Sequence, residues 1–105
     1  MFARVNTFQG PVAGLDASLE DARAHALPAL DAIDGYAGIV VLLERGTGRS
    51  IAITFWESEA AMHASEAAAT EIRVSSTDRQ GERIVSVERF EVGLSTLGAA
   101  VVGTR

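Results

Sequence analysis

The chain has 105 residues, 48% of them hydrophobic and 22% charged, with a formal net charge of −5; this is the balance of one globular domain and excludes fibrous, disordered and multidomain readings. All nine cationic side chains are arginines scattered among fourteen acids, so the clustered positive charge that a phosphate-backbone binder needs is missing. Cysteine is absent, which excludes disulfides, thiol nucleophiles and thiolate metal sites together. With no ~18-residue apolar run and no signal-peptide layout, the expectation is a cytoplasmic protein with neither nucleic-acid nor membrane partners.

Residues Phe2 to Gln9 alternate apolar and polar side chains and stop at Gly10-Pro11, which predicts a strand and a turn. From Leu15 the apolar residues Leu19, Ala22, Ala26, Leu30 and Ile33 recur at helical spacing. Pro28 interrupts that pattern and requires a kink or a restart, and Asp34-Gly35 ends the helix. Tyr36 to Arg45 and Arg49 to Trp56 are β-branched, nearly continuous apolar runs separated by Gly46-Thr47-Gly48, which predicts a hairpin of strands covered on both faces. Ser58 offers an N-cap to an Ala-rich helix reaching about Arg73, with Ala61, Ala64, Ser65, Ala68 and Ile72 as its inward stripe. Ser75 to Gly81 has turn chemistry, Glu82 to Val92 is a last strand, and residues 94–105 form a Gly-rich tail beyond a domain of residues 1–93.

The order β-α-β-β-α-β is that of an α+β, ferredoxin-like domain with a four-stranded antiparallel sheet under two helices. One sheet face stays uncovered in that arrangement, and the middle strands lack the polar alternation of a wet face. A homodimer with apposed sheets meets this need.

The stretches DGYAGIVVLLERG and IAITFWESEAAMHASEAA, with the opening RVNTF, resemble the antibiotic biosynthesis monooxygenase superfamily, the dimeric α/β-barrel proteins, over about Phe2 to Val92. Trp56-Glu57-Ser58, a strand end leading into a helix cap, is the most recognisable piece. The resemblance implies a homodimer with a pocket between sheet and helices in each subunit. It also implies either oxidation of quinols or anthrones by O2 without a cofactor, or haem degradation.

Asn6 sits mid-strand, where an amide is a poor β-former and needs partners if buried; the resemblance places it toward the pocket, where it can hold an oxyanion. Trp56 and Thr54 share strand parity and could present an indole and a hydroxyl side by side. His25 borders the apolar stripe of the first helix and is a candidate base at a pocket rim. These four are the candidate catalytic residues. Arg4, with the parity of Asn6, is a candidate anion clamp or cross-strand ion-pair partner, and Tyr36 a candidate cover over an opening.

Two further substrate-contacting candidates, Met62 and Ser65, come from the resemblance. They stand where an anthrone-oxidising branch carries a helical Tyr and the haem-degrading branch a helical Trp. Ala52 replaces a branch Asn, and Ser75 replaces the iron-ligating His, so no haem ligand is evident. His63, Glu59, Glu66 and Thr70 share one side of the second helix, which predicts a solvated face. Glu66, Glu71 and the histidines show no diagnostic metal spacing, so no metal is expected. The reading is a cofactor-independent monooxygenase for a small hydroxylated aromatic or polyketide-like compound. Its alternatives are a non-catalytic dimer binding a small apolar ligand, and an assembly role in which the tail LGAAVV packs on the partner.

Overall fold

The computed structural model describes residues 1–97, so most of the tail expected to pack on a partner lies outside the described residues. Four antiparallel strands, β1 (Phe2–Gln9), β2 (Tyr36–Glu44), β3 (Arg49–Trp56) and β4 (Arg83–Glu91), form one sheet in the order β2-β3-β1-β4. The two middle strands β1 and β3 are those whose neighbours are supplied on both sides, and all helices lie across one face. This is the ferredoxin-like α+β arrangement expected from the order of elements. Among the described residues no helix is long and apolar enough to cross a membrane.

The first helical stretch restarts at the proline, one of the two expected outcomes, with Pro28 in the first turn of the new segment and a widened turn before it. A single 3-10 turn (Val12–Gly14) leads into α1 (Leu15–Asp21), then a π turn at Ala22–Ala26, then α2 (Leu27–Asp31). Pro28 has no N–H to give and its ring crowds the carbonyl four residues back. The Leu27 N–H reaches instead to the Ala22 carbonyl, five residues back, which opens the turn enough to admit the ring.

The second stretch departs further from expectation. The Ser58 hydroxyl accepts from the Ala61 N–H at 3.0 Å and starts α3 (Glu59–Ala64) as expected. A break at Ser65 follows, and α4 (Glu66–Gln80) then runs past Arg73 through the segment expected to turn. Thr77 folds its hydroxyl back onto the Arg73 and Val74 carbonyls, while Ser76 and Arg79 both reach Asp21 on α1. Tertiary contacts thus retain residues that prefer turns in isolation, and only Gly81, at φ +63°, ends the helix in a left-handed cap.

The inward stripe keeps Ser65 and Ile72 of the expected set but exchanges Ala64 and Ala68 for Met62 and Ala69. Met62, Ser65, Ala69 and Thr77 are buried, whereas Ala64 and Ala68 are exposed. Turning Met62 inward removes more apolar surface from water than turning an alanine inward, and it joins Leu30 and Trp56 in one core cluster.

Strand parity divides the sheet. Even-numbered residues of β1 and β3 face the helices. Odd-numbered ones face away, in rows Gly38–Phe55–Ala3–Phe90, Val40–Ile53–Val5–Glu88 and Leu42–Ile51–Thr7–Ser86. Ala3 and Phe55 are buried on this second face, with Met1, Ala37, Val40, Ile53 and Val92 against them, yet Leu42 and Phe90 are 48% and 51% exposed. The expectation of strands covered on both faces is therefore met on the helix side alone within one chain.

Gly35 joins the helical layer to the sheet. Its φ is +81°, its carbonyl accepts from the Glu57 N–H at 2.9 Å, and a Cβ placed on it would overlap the Ala61 methyl. Gly35→Ala should therefore lower stability by about 3 kcal/mol, combining backbone strain with overpacking. Gly46→Ala, where a Cβ meets nothing within 4 Å, should change stability by less than about 0.5 kcal/mol; urea denaturation of both variants checks the contrast.

Candidate functional site

Between the helices and the covered sheet face lies a cavity of about 100 Å³. Its floor is a grid set by strand register. Ile39, Thr54 and Arg4 make one rung, Val41, Ala52 and Asn6 the next, and Leu43, Ser50 and Phe8 the third. Two residues separate successive rungs, so the floor extends roughly 14 Å from Arg4 to Phe8. Alanines from the π turn and from α4 make much of the roof, and Arg73 and Glu82 add charge at the sides. An apolar chamber with a few convergent polar groups is the usual form of a small-molecule site.

Asn6 is buried with both ends of its amide engaged. Its Nδ2 donates to the Ala52 carbonyl at 2.9 Å and makes a long contact of 3.5 Å with the Arg4 carbonyl, while its Oδ1 accepts from Arg73 Nη1 at 3.0 Å. Thr54 accepts from the Trp56 indole N–H at 3.0 Å. That bond occupies an acceptor site of the hydroxyl and leaves its proton for a second partner. Register thus brings Arg4, Asn6 and Thr54 together on one floor, as parity suggested.

Four other candidates stand behind that floor. Trp56 is fully buried, does not line the cavity, and takes the edge of Tyr36 at 5.7 Å between ring centroids. Burial, with a smaller contribution from Asp31, raises the proton affinity of the half-buried Tyr36 phenol. Met62 gives its carbonyl, and Ser65 its hydroxyl, to Arg4 Nη2 at 2.8 and 3.0 Å. These side chains support the wall without forming it. His25 departs from the cavity altogether: it is 58% exposed, 3.9 Å from Asp21, and borders a separate, more open groove with Glu71, Ser75 and Arg79.

Arg4 is 1% exposed, and its neighbour directly across β4 is Arg89, a like charge. The expected cross-strand ion pair is replaced by a carboxylate from the helix layer. Glu66 Oε2 lies 2.9 Å from Arg4 Nη2, and the same carboxylate takes both Nε and Nη2 of Arg89 at 2.7 Å. Glu66 is accordingly no member of a solvated helix face, since two cations on the sheet need one anion between them. Hydrogen bonds from Arg89, and then from Arg4, hold its carboxyl down to about 2 against the cost of burial.

The sequence reading did not single out Arg73 or Glu82. Burial and the charge of Arg4 lower the proton affinity of Arg73, which remains a cation because a guanidinium does not deprotonate in proteins. Burial raises the Glu82 carboxyl above its usual range, even though Ser18 donates to it at 3.1 Å. No local motif marks either residue. The only available signal was a lone acid beside a glycine turn and an arginine near the end of an apolar stripe.

The chain as a whole is similar to known proteins. A family model described as antibiotic biosynthesis monooxygenase matches residues 1–71. The chain belongs to this family. An uncharacterised protein of Mycobacterium tuberculosis is 35% identical over 92 residues, covering 88% of this chain and 41% of its own length. The chain therefore spans about two-fifths of the curated relatives it matches. Among solved structures, a Streptomyces coelicolor monooxygenase in complex with nanaomycin D superposes with a TM-score of 0.69 at 16% identity, over 92% of this chain and 91% of that one. A haem-degrading protein of M. tuberculosis with two haems in its active site gives 0.60 at 27% identity, over 91% and 99%.

The Glu66 bridge carries a pH signature. Its folded-state pKa is depressed, so its stabilisation is complete above the ordinary value of about 4.5 and is lost as pH falls toward about 2. Glu66→Gln should cost about 2 kcal/mol at pH 7 and flatten the fall in stability between pH 4.5 and 2, measured by urea denaturation across that range.

Proposed function

We propose that the cavity is the site of a monooxygenase that oxidises a small hydroxylated aromatic or polyketide-like compound with O2, the substrate itself supplying the electrons. The observation that carries this reading is a mostly apolar cavity whose floor places the Asn6 amide and the Thr54 hydroxyl on adjacent rungs, in a chain of the monooxygenase family. A phenol that loses its proton becomes a one-electron donor to O2. For an activated methylene the overall change is CH2 + O2 → C=O + H2O, with four electrons passing from carbon to oxygen. The protein then supplies a dry pocket, donors for the anion and a proton acceptor.

The Thr54 hydroxyl proton, and the Asn6 hydrogen that makes only the long 3.5 Å contact with the Arg4 carbonyl, hold the developing oxyanion. Trp56 acts through Thr54, fixing its hydroxyl by occupying its acceptor side. Glu82, a carboxylate with raised proton affinity on the cavity wall, is the proton acceptor in place of His25, which faces the other groove. The reading does not extend to haem. Among the described residues the cavity lining has no His, Cys, Met or Tyr, the side chains that hold haem iron.

Oxygen uptake by the purified protein over a panel of quinols, anthrones and phenolics tests the reading. Uptake above autoxidation should fall about 100-fold in Asn6→Ala and in Glu82→Gln and should be unchanged in His25→Ala. The wild-type rate should rise with pH through a midpoint above the ordinary glutamate value, because the acceptor must be unprotonated, and Glu82→Gln should remove that limb. No uptake across the panel would favour the alternative of a non-catalytic binding protein.

The open sheet face supports the expected homodimer, in which a second copy covers Leu42 and Phe90. Sedimentation equilibrium should give a dimer for the wild type and a monomer for Phe90→Glu.

A further inference from the structure

Among the described residues, Arg4 is the cavity-lining residue with buried side-chain nitrogens that have no hydrogen-bond partner at all. Its Nη2 serves the Met62 carbonyl, Ser65 and Glu66 together, whereas Nε and Nη1, both buried, have no partner among the described residues. The Trp56 ring centroid lies 5.4 Å from the guanidinium carbon. A π face offsets part of a cation's desolvation but supplies no lone pairs to the in-plane N–H groups. Leaving two charged donors buried without acceptors is costly, and the residue that carries them is part of the cavity lining.

The neighbourhood is also short of negative charge. Arg4, Arg73 and Arg89 carry three positive charges around the single carboxylate of Glu66. Arg73 lines the cavity one rung from Arg4 and is fastened to Asn6 at 3.0 Å, so its head is held in place before any ligand arrives. Glu82 lies toward the opposite end, beside Ser18 and the Phe8 rung. The chamber is thus cationic at one end, anionic at the other and apolar between.

From this arrangement we infer that the cavity selects a hydroxyaryl carboxylate, with its carboxylate against Arg4 and Arg73 and its hydroxyl directed toward Glu82. A planar carboxylate offers in-plane lone pairs to a guanidinium, which a neutral quinone or phenol edge does not match. Ile39, Val41, Leu30 and Ile72 enclose the ring. The inference rests on the reading of this cavity as the substrate site and narrows its substrate class, but it concerns binding and is tested without turnover.

The probes are 4-hydroxybenzoate and 4-hydroxybenzamide, alike in shape and different in charge at pH 7, titrated anaerobically by calorimetry or by NMR. The carboxylate should bind at least tenfold more tightly than the amide. The preference should fall below threefold in Arg73→Gln or in Asn6→Asp, the second of which places a near-isosteric carboxylate beside Arg73. Binding of neither probe, a preference under tenfold, or its retention in both variants would overturn the inference. Circular dichroism checks the fold of each variant, and if neither folds the wild-type comparison decides alone. A carboxylate preference without oxygen uptake on any substrate would uphold this inference while removing the monooxygenase reading; uptake without the preference would do the reverse.

Discussion

A guanidinium buried in the middle of a sheet sets the terms for the rest of this molecule. Arg4 stands opposite another arginine on β4, and low-dielectric surroundings magnify that repulsion unless an anion is placed between the two. Glu66 meets the requirement from the first turn of α4, and its position there depends on the break at Ser65. The break has its own support. The Met62 carbonyl, left over at the end of α3, receives Ser65 Oγ and Arg4 Nη2, so a strand cation caps a helix C-terminus, where positive charge is favoured. One side chain thereby ties β1, both parts of the second helical stretch and, through Glu66, β4.

The sheet alternation separates two tasks. Even positions of β1 and β3 carry the polar groups, Arg4, Asn6, Ser50 and Thr54, into a space closed by helices, where each polar atom must find a partner in the protein or in a ligand. Odd positions carry mainly apolar side chains, Ala3, Val5, Ile51, Ile53 and Phe55, with Thr7 the buried hydroxyl among them. A substitution on the apolar side changes packing and assembly. One on the polar side changes what the chamber accepts.

The legible parts of the sequence were those governed by short-range pattern. The hairpin around Gly46 to Gly48, the Ser58 cap and the parity of Arg4, Asn6 and Thr54 follow from period-two alternation and local turn chemistry, and all reappear in the fold. The segment Ser75 to Gly81 was misread because its residues favour turns when alone, whereas Asp21, 58 positions before Arg79, binds two of them in a helix. Long-range ion pairs of this kind leave no trace in a window of sequence. Glu66 was misplaced for the same reason, since its partners sit on strands 23 and more residues away. Glu82 and Arg73 gain meaning only from the cavity, and His25 loses its expected role because the π turn and α2 direct it to another groove.

The π turn at Ala22–Ala26 has a consequence for the breadth of the fold's repertoire. By spreading the turn, Pro28 sets two methyl groups, Ala22 and Ala26, over a floor whose central residue, Ala52, is equally small. The height of the chamber is therefore governed by side chains that carry no charge, make no hydrogen bond and belong to neither ion-pair network. Larger residues at those three places would shorten the accepted molecule, and glycines would deepen the space, with the cationic and acidic ends still where they are. The fold keeps its means of recognising polar groups apart from its means of gauging size, so each can drift without dismantling the other.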